Sequence, residues 1–177
     1  MNLFDFLEKK QDSILKKWFK QVMSGYAPDA CAFFSRQKNE FANPVGTNAR
    51  KQLELIYSEL LKKQCSDELR THVDGMVRMF AVQEIPPAQA VSFMYHLKDV
   101  VRKAVGDSFE EVPVAELLEY ESRIDQVALL GFEVYIQCRE KLWYLRANTI
   151  RDRTHRLLER ANLIRDLDAE KGSDEEG

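Results

Sequence analysis

Apolar residues return every three or four positions along almost the whole chain, and no segment sustains residue-by-residue alternation. A period near 3.6 gathers those side chains on one helix face, whereas a half-buried strand needs a period of two. The chain is thereby confined to an all-α fold, and its prolines and glycines mark where helices stop and start.

The first helix is expected from about Leu3 to Ser24, with Leu3, Phe6, Leu7, Ile14, Trp18 and Val22 inward and Gly25 closing it. A short helix or turn carrying Phe33 and Phe34 follows Pro28. In Phe41-Ala42-Asn43-Pro44-Val45-Gly46-Thr47, Pro44 steers Asn43 away from helical angles, and Thr47 or Asn43 caps the next helix. That helix buries Leu53, Ile56, Tyr57, Leu60 and Leu61. Ser66 is the expected cap of a helix with Leu69, Val73, Met76, Val77 and Phe80 on its core side. Pro86-Pro87 breaks the pattern and starts another, with Ala90, Val91, Met94, Leu97, Val101 and Ala104 buried and Gly106 at its end. Pro113 opens the last and longest helix, whose apolar positions include Val114, Leu117, Leu118, Ile124, Val127, Leu130, Val134 and Leu142. About six helices result, packed as a bundle or in a globin-like arrangement, with a long C-terminal helix.

The pattern changes at Trp143. Trp143, Ala147, Ile150, Thr154, Leu157, Ala161 and Ile164 alternate spacings of four and three, a seam of the coiled-coil type in otherwise polar surroundings. With these residues at a and d, the g positions are Arg146, Arg153 and Arg160, and e positions include Arg151 and Arg165. Self-pairing along the seam sets arginine against arginine, so the flanks favour a protein partner whose helix has acidic edges; a homodimer would have to be held by the domain instead. Beyond the seam the chain turns acidic, with Asp166, Asp168, Glu170, Asp174, Glu175 and Glu176, and disorder is expected there. The expected organisation is a helical sensor-like domain over 1–142, an arm over 143–165 and an acidic tail over 166–177.

Composition narrows the function. The net charge of −3 provides no general attraction to nucleic acid, and no apolar run reaches the ~20 residues of a membrane span. The N-terminus lacks a basic stretch followed by an apolar one, so a cytoplasmic location without membrane insertion is expected. Cys31, Cys65 and Cys138 form no Cys-x-x-Cys pair, so neither a disulfide framework nor a zinc knuckle is suggested.

No constellation of acid, base and nucleophile can be named, and no phosphate-cradling glycine loop is present. None of His72, His96 and His155 lies in His-Glu-x-x-His or follows a glutamate at three residues' distance, so neither a metal site nor a resident cofactor is expected. His96 stands out, one helical turn from Phe93 and from Val100. With Phe80, Gln83 and Phe93 it would line a small pocket for an apolar ligand, or for haem in a globin-like fold.

Leu7-Glu8-Lys9-Lys10-Gln11-Asp12-Ser13-Ile14-Leu15-Lys16-Lys17-Trp18, Phe41-Ala42-Asn43-Pro44-Val45-Gly46, and Ala81-Val82-Gln83 with Pro87 and Ala90-Val91-Ser92-Phe93 resemble the N-terminal domain of the RsbRD-type RsbT co-antagonist proteins. The resemblance covers roughly residues 3–142. It implies a helical sensory or regulatory domain of bacterial stress signalling, related to globin-like dimers that hold no haem. It supplies no catalytic residue. Its motif positions, Phe41, Asn43, Pro44, Gly46, Gln83 and Pro87, read as structural, with Pro44 and Gly46 fixing a turn that Phe41 anchors. The family's plan continues into a STAS domain or a kinase, and no STAS domain follows the arm here, so a stand-alone version is expected. Stand-alone members also suggest an adaptor for a respiratory redox complex. The leading expectation is a non-enzymatic signalling module that senses a condition or ligand and acts through its C-terminal helix.

Overall fold

The computed structural model describes residues 2–25, 43–62, 66–106, 112–161 and 163. Phe33, Phe34, Phe41, Ile164 and the 166–177 tail lie outside them. Among the described residues there are six helices and no strand: α1 (Leu3–Lys9), α2 (Gln11–Met23), α3 (Pro44–Leu61), α4 (Glu68–Val82), α5 (Pro87–Gly106) and α6 (Val114–Arg160). Two compact units are formed, Met1–Arg139 and Glu140–Gly177.

The single first helix expected from Leu3 to Ser24 is instead two, parted at Lys10, whose φ of −99° and ψ of 6° leave the helical region. Tyr57 of α3 is the physical reason. Its buried hydroxyl donates to the Leu7 carbonyl at 3.0 Å, in the last turn of α1. A side-chain donor entering the carbonyl ladder is a recognised cause of a break.

Asn43, not Thr47, caps α3. Its Oδ1 accepts from the Gly46 N–H at 2.9 Å, and Pro44 occupies the first helical position, where its missing N–H is no loss. A Cβ on Gly46 would run into the Asn43 side chain. The Asn-Pro-x-Gly spacing is therefore a single device, in which the amide sits where the glycine leaves room.

Ser66 does not cap α4. Asp67 holds the cap position without a side-chain hydrogen bond, while the Ser66 N–H and Oγ both donate to Glu59 Oε2 at 2.9 Å. The Glu59 carboxylate is buried at the end of α3, and an uncompensated buried charge is costly. Ser66 answers that demand.

The end of α4 is a Schellman turn. Glu84 adopts φ 59°, the Glu84 N–H donates to Ala81 O at 3.2 Å and the Ile85 N–H to Phe80 O at 3.1 Å. Helix α6 pins this turn: Tyr135 Oη donates to Ile85 O at 2.7 Å, and Arg139 Nη1 to Ala81 O at 3.2 Å.

Helix α2 packs on α5 and α3, α3 on α4, α4 on α5, and α1 on α2 and α3. Trp18, Tyr57, Phe93 and Tyr120 are fully buried at the centre. The inward stripe of α6 runs through Tyr120, Ile124, Val127, Ala128, Val134 and Tyr135. Two of the apolar positions of this helix, Val114 and Leu118, are exposed. Leu118 lies more than a third of a turn off the inward face, at helical spacing from the exposed Leu129, Phe132 and Ile136, and Val114 is the first residue of its helix. Polar ties complete the packing: the Leu3 N–H donates to Glu116 at 2.7 Å, Arg102 grips buried Glu121 with two bonds of 2.6 and 2.7 Å, and Lys98 meets Asp125 at 2.6 Å. The bidentate hold of Arg102 keeps the Glu121 carboxyl below its ordinary range, against the opposing effect of burial.

Candidate functional site

The seam residues in the second unit are helical through Arg160 and exposed. Trp143, Ile150 and Leu157 show 61%, 65% and 64% of their surface, and Ala147, Thr154 and Ala161 are exposed as well. Their flanks, Arg146, Arg153 and Arg160, are exposed too. Over residues 140–160, Lys141, Arg146, Arg151, Arg153, Arg156 and Arg160 outnumber Glu140, Asp152 and Glu159. The result is a solvent-facing apolar row edged by excess positive charge. Tyr144 and Leu145 are also exposed; they stand off the seam, so its spacing does not reveal them. Along this helix Thr149 Oγ1 donates to Leu145 O at 2.8 Å, and His155 Nδ1 lies 3.3 Å from Glu159 Oε1.

A separate cleft in the first unit is lined by Val22, Phe80, Ile85, Gln89, Phe93 and His96, together with Gly25 and Ser92. The structure brings Phe80, Phe93 and His96 together there, but not Gln83. Gln83 is exposed at the C-cap of α4, because the Schellman turn carries the chain away immediately after it. Gln89 of α5 takes the polar place, and its Nε2 donates to Gly25 O at 3.1 Å. His96 Nδ1 is buried without a hydrogen-bond partner among the described residues. Burial lowers the His96 pKa from its ordinary value, and Asp99 partly offsets this. The cavity volume is about 20 Å³, which accommodates a water and not a porphyrin. Haem does not fit these residues.

Of the motif positions, Asn43, Pro44 and Gly46 build the start of α3 and Pro87 starts α5. Each has a structural task and none lies in the cleft lining.

One group escapes the spacing rules altogether. Glu68 and His72 are four residues apart on one face of α4, and Glu59 approaches from the end of α3. Their ligand atoms all lie within 4.8 Å of one another. A search for glutamate at three residues' distance passes over the i, i+4 pair, and no local pattern announces that Glu59 joins it.

Among known families, the RsbT co-antagonist protein rsbRD N-terminal domain matches residues 12–150. The chain belongs to this family, which is one of regulatory domains in stress signalling. No curated protein matches the chain, and no solved structure does. No helix among the described residues is long and apolar enough to cross a membrane.

Proposed function

We propose that this chain is a non-enzymatic signalling module that works by protein–protein contact through the C-terminal part of α6. The observation that carries the reading is the exposure of Trp143, Ile150 and Leu157 along one seam with arginines at its edges. Large apolar side chains left in solvent at regular spacing mark an interaction surface. The charge excess selects the partner: a helix with apolar a and d positions and acidic flanks in a cytoplasmic protein. A condition or ligand sensed by the helical unit would act by favouring one of two states that the partner binds differently.

A photo-crosslinking residue placed at Thr154 tests this. An adduct with a second protein, lost in an Ile150→Glu variant, supports the reading. An adduct of twice the chain mass would identify a homodimer instead, and no adduct would remove the proposal.

A second reading rests on the cleft. An orphaned His96 nitrogen beside a mostly apolar recess of about 20 Å³ suits an uncharged molecule little larger than water with one hydrogen-bonding group. Because Ile85 lines the cleft while its carbonyl is held by Tyr135, an occupant there would press on the turn that α6 pins. Native mass spectrometry of the purified chain, with and without His96→Phe, would show such a ligand as an added mass present only in the parent.

A further inference from the structure

We propose that Glu59, Glu68 and His72 form a binding site for one divalent transition-metal ion, a role independent of the arm. The three side chains offer two carboxylates and one imidazole, a donor set that suits zinc and its neighbours. Ligand atoms within 4.8 Å of one another need only modest side-chain adjustment to close on a common ion with bonds of about 2.0–2.2 Å. Glu68 is exposed and His72 half-buried, so both are free to make that adjustment and the ion has an entry path. Three protein ligands leave a position for water.

Glu59 gives the site its anchor. Its side chain is 4% exposed, yet both carboxylate oxygens are engaged, Oε1 by the Lys62 ammonium and Oε2 by Ser66. The Ser66 N–H and Oγ orient the group, as outer-shell donors orient a ligating carboxylate. Its ionic partner is Lys62, whose side chain is 51% exposed. An ion at the site would replace that ammonium as the counter-charge of a buried carboxylate, and the repulsion of two adjacent cations would move Lys62 into solvent. Metal and lysine therefore compete for one anion. A bound ion would clamp the end of α3 to the first turns of α4, where Arg123 of α6 already holds the Lys62 carbonyl at 2.6 Å.

The competition makes the site testable. Zinc chloride is titrated into the full chain by calorimetry, with the histidine ring signals followed by NMR. One ion per chain is expected, moving the His72 signals and leaving those of His96 and His155 in place. Glu68→Gln and His72→Asn should each weaken binding about tenfold or more. Lys62→Gln should tighten it several-fold, a response that a casual surface histidine would not show. Zinc binding unchanged in Glu68→Gln and His72→Asn would place the ion elsewhere, on the cysteines for instance, and overturn the proposal. So would zinc binding that is absent, or indifferent to Lys62→Gln.

Discussion

The indole of Trp18 donates its N–H to the backbone carbonyl of Phe93 at 2.5 Å, and the two rings stack with centroids 6.3 Å apart and 15° between their planes. The pair joins α2 to α5 across the fully buried centre. A buried indole satisfied in this way contributes both apolar burial and a hydrogen bond. Trp18→Phe keeps most of the ring volume but forfeits the donor and leaves a small void. It should cost about 2 kcal/mol, read as a lowered urea midpoint with an unchanged denaturant slope.

The two tryptophans should report separately. Trp18 is buried and Trp143 exposed. Iodide should therefore quench the Trp18→Phe variant's fluorescence strongly, and should hardly affect that of Trp143→Phe. Equal quenching of the two would contradict the exposure of the arm.

Asn43 and Gly46 act as one unit, so their effects should not add. Asn43→Ala should destabilise the domain by about 1 kcal/mol through loss of the cap. Gly46→Ala should destabilise by a similar amount because its Cβ displaces the Asn43 amide. In the double variant the amide is gone and the clash with it, so the combined loss should fall short of the sum. Thermal unfolding of the four proteins in the cycle checks this.

Much of the fold could be read from the sequence because it rests on local rules. The inward residues of α4, Leu69, Val73, Met76, Val77 and Phe80, all lie buried as their spacing requires. The starts of α3, α5 and α6 coincide with their prolines. What spacing does not reveal is made by distant residues. The break at Lys10 depends on the Tyr57 hydroxyl, 50 residues from the carbonyl it binds. Glu59 is charged and adjoins the inward Leu60, so no pattern foretells that it is buried, and Ser66 is drawn from its expected cap to serve it.

The same division holds for the sites. The arm follows from a repeat and needs no tertiary information. Phe80, Phe93 and His96 of the cleft follow from two helical stripes, but the choice of Gln89 over Gln83 depends on how a turn leaves its helix.

That turn makes its own prediction. Glu84 is the one non-glycine with positive φ among the described residues, and at such a position an ordinary side chain is strained by about 1–2 kcal/mol. Glycine removes the strain but adds conformational entropy to the unfolded chain. Glu84→Gly should therefore raise stability modestly, by up to about 1 kcal/mol, seen as a higher melting temperature.

His96 should make stability depend on pH. Burial holds its folded-state pKa below the unfolded value of about 6.5. The unfolded chain then takes up the proton more readily, so the stability present above pH 6.5 declines as the pH falls through that value. The slope for one proton is at most about 1.4 kcal/mol per pH unit. Urea midpoints at pH 7 and pH 5 should fall further apart for the parent than for His96→Gln, and the reverse order would contradict the burial of this imidazole.

The central claim is contact through the exposed seam, and its most direct test is affinity purification of the full chain from its own cells beside an Ile150→Glu, Leu157→Glu double variant. The parent should retain one partner in stoichiometric amount, released by raised salt as a basic-edged helix requires, and the variant should retain none while melting at the parent's temperature. A partner held equally by both proteins, or held by neither, would contradict the account.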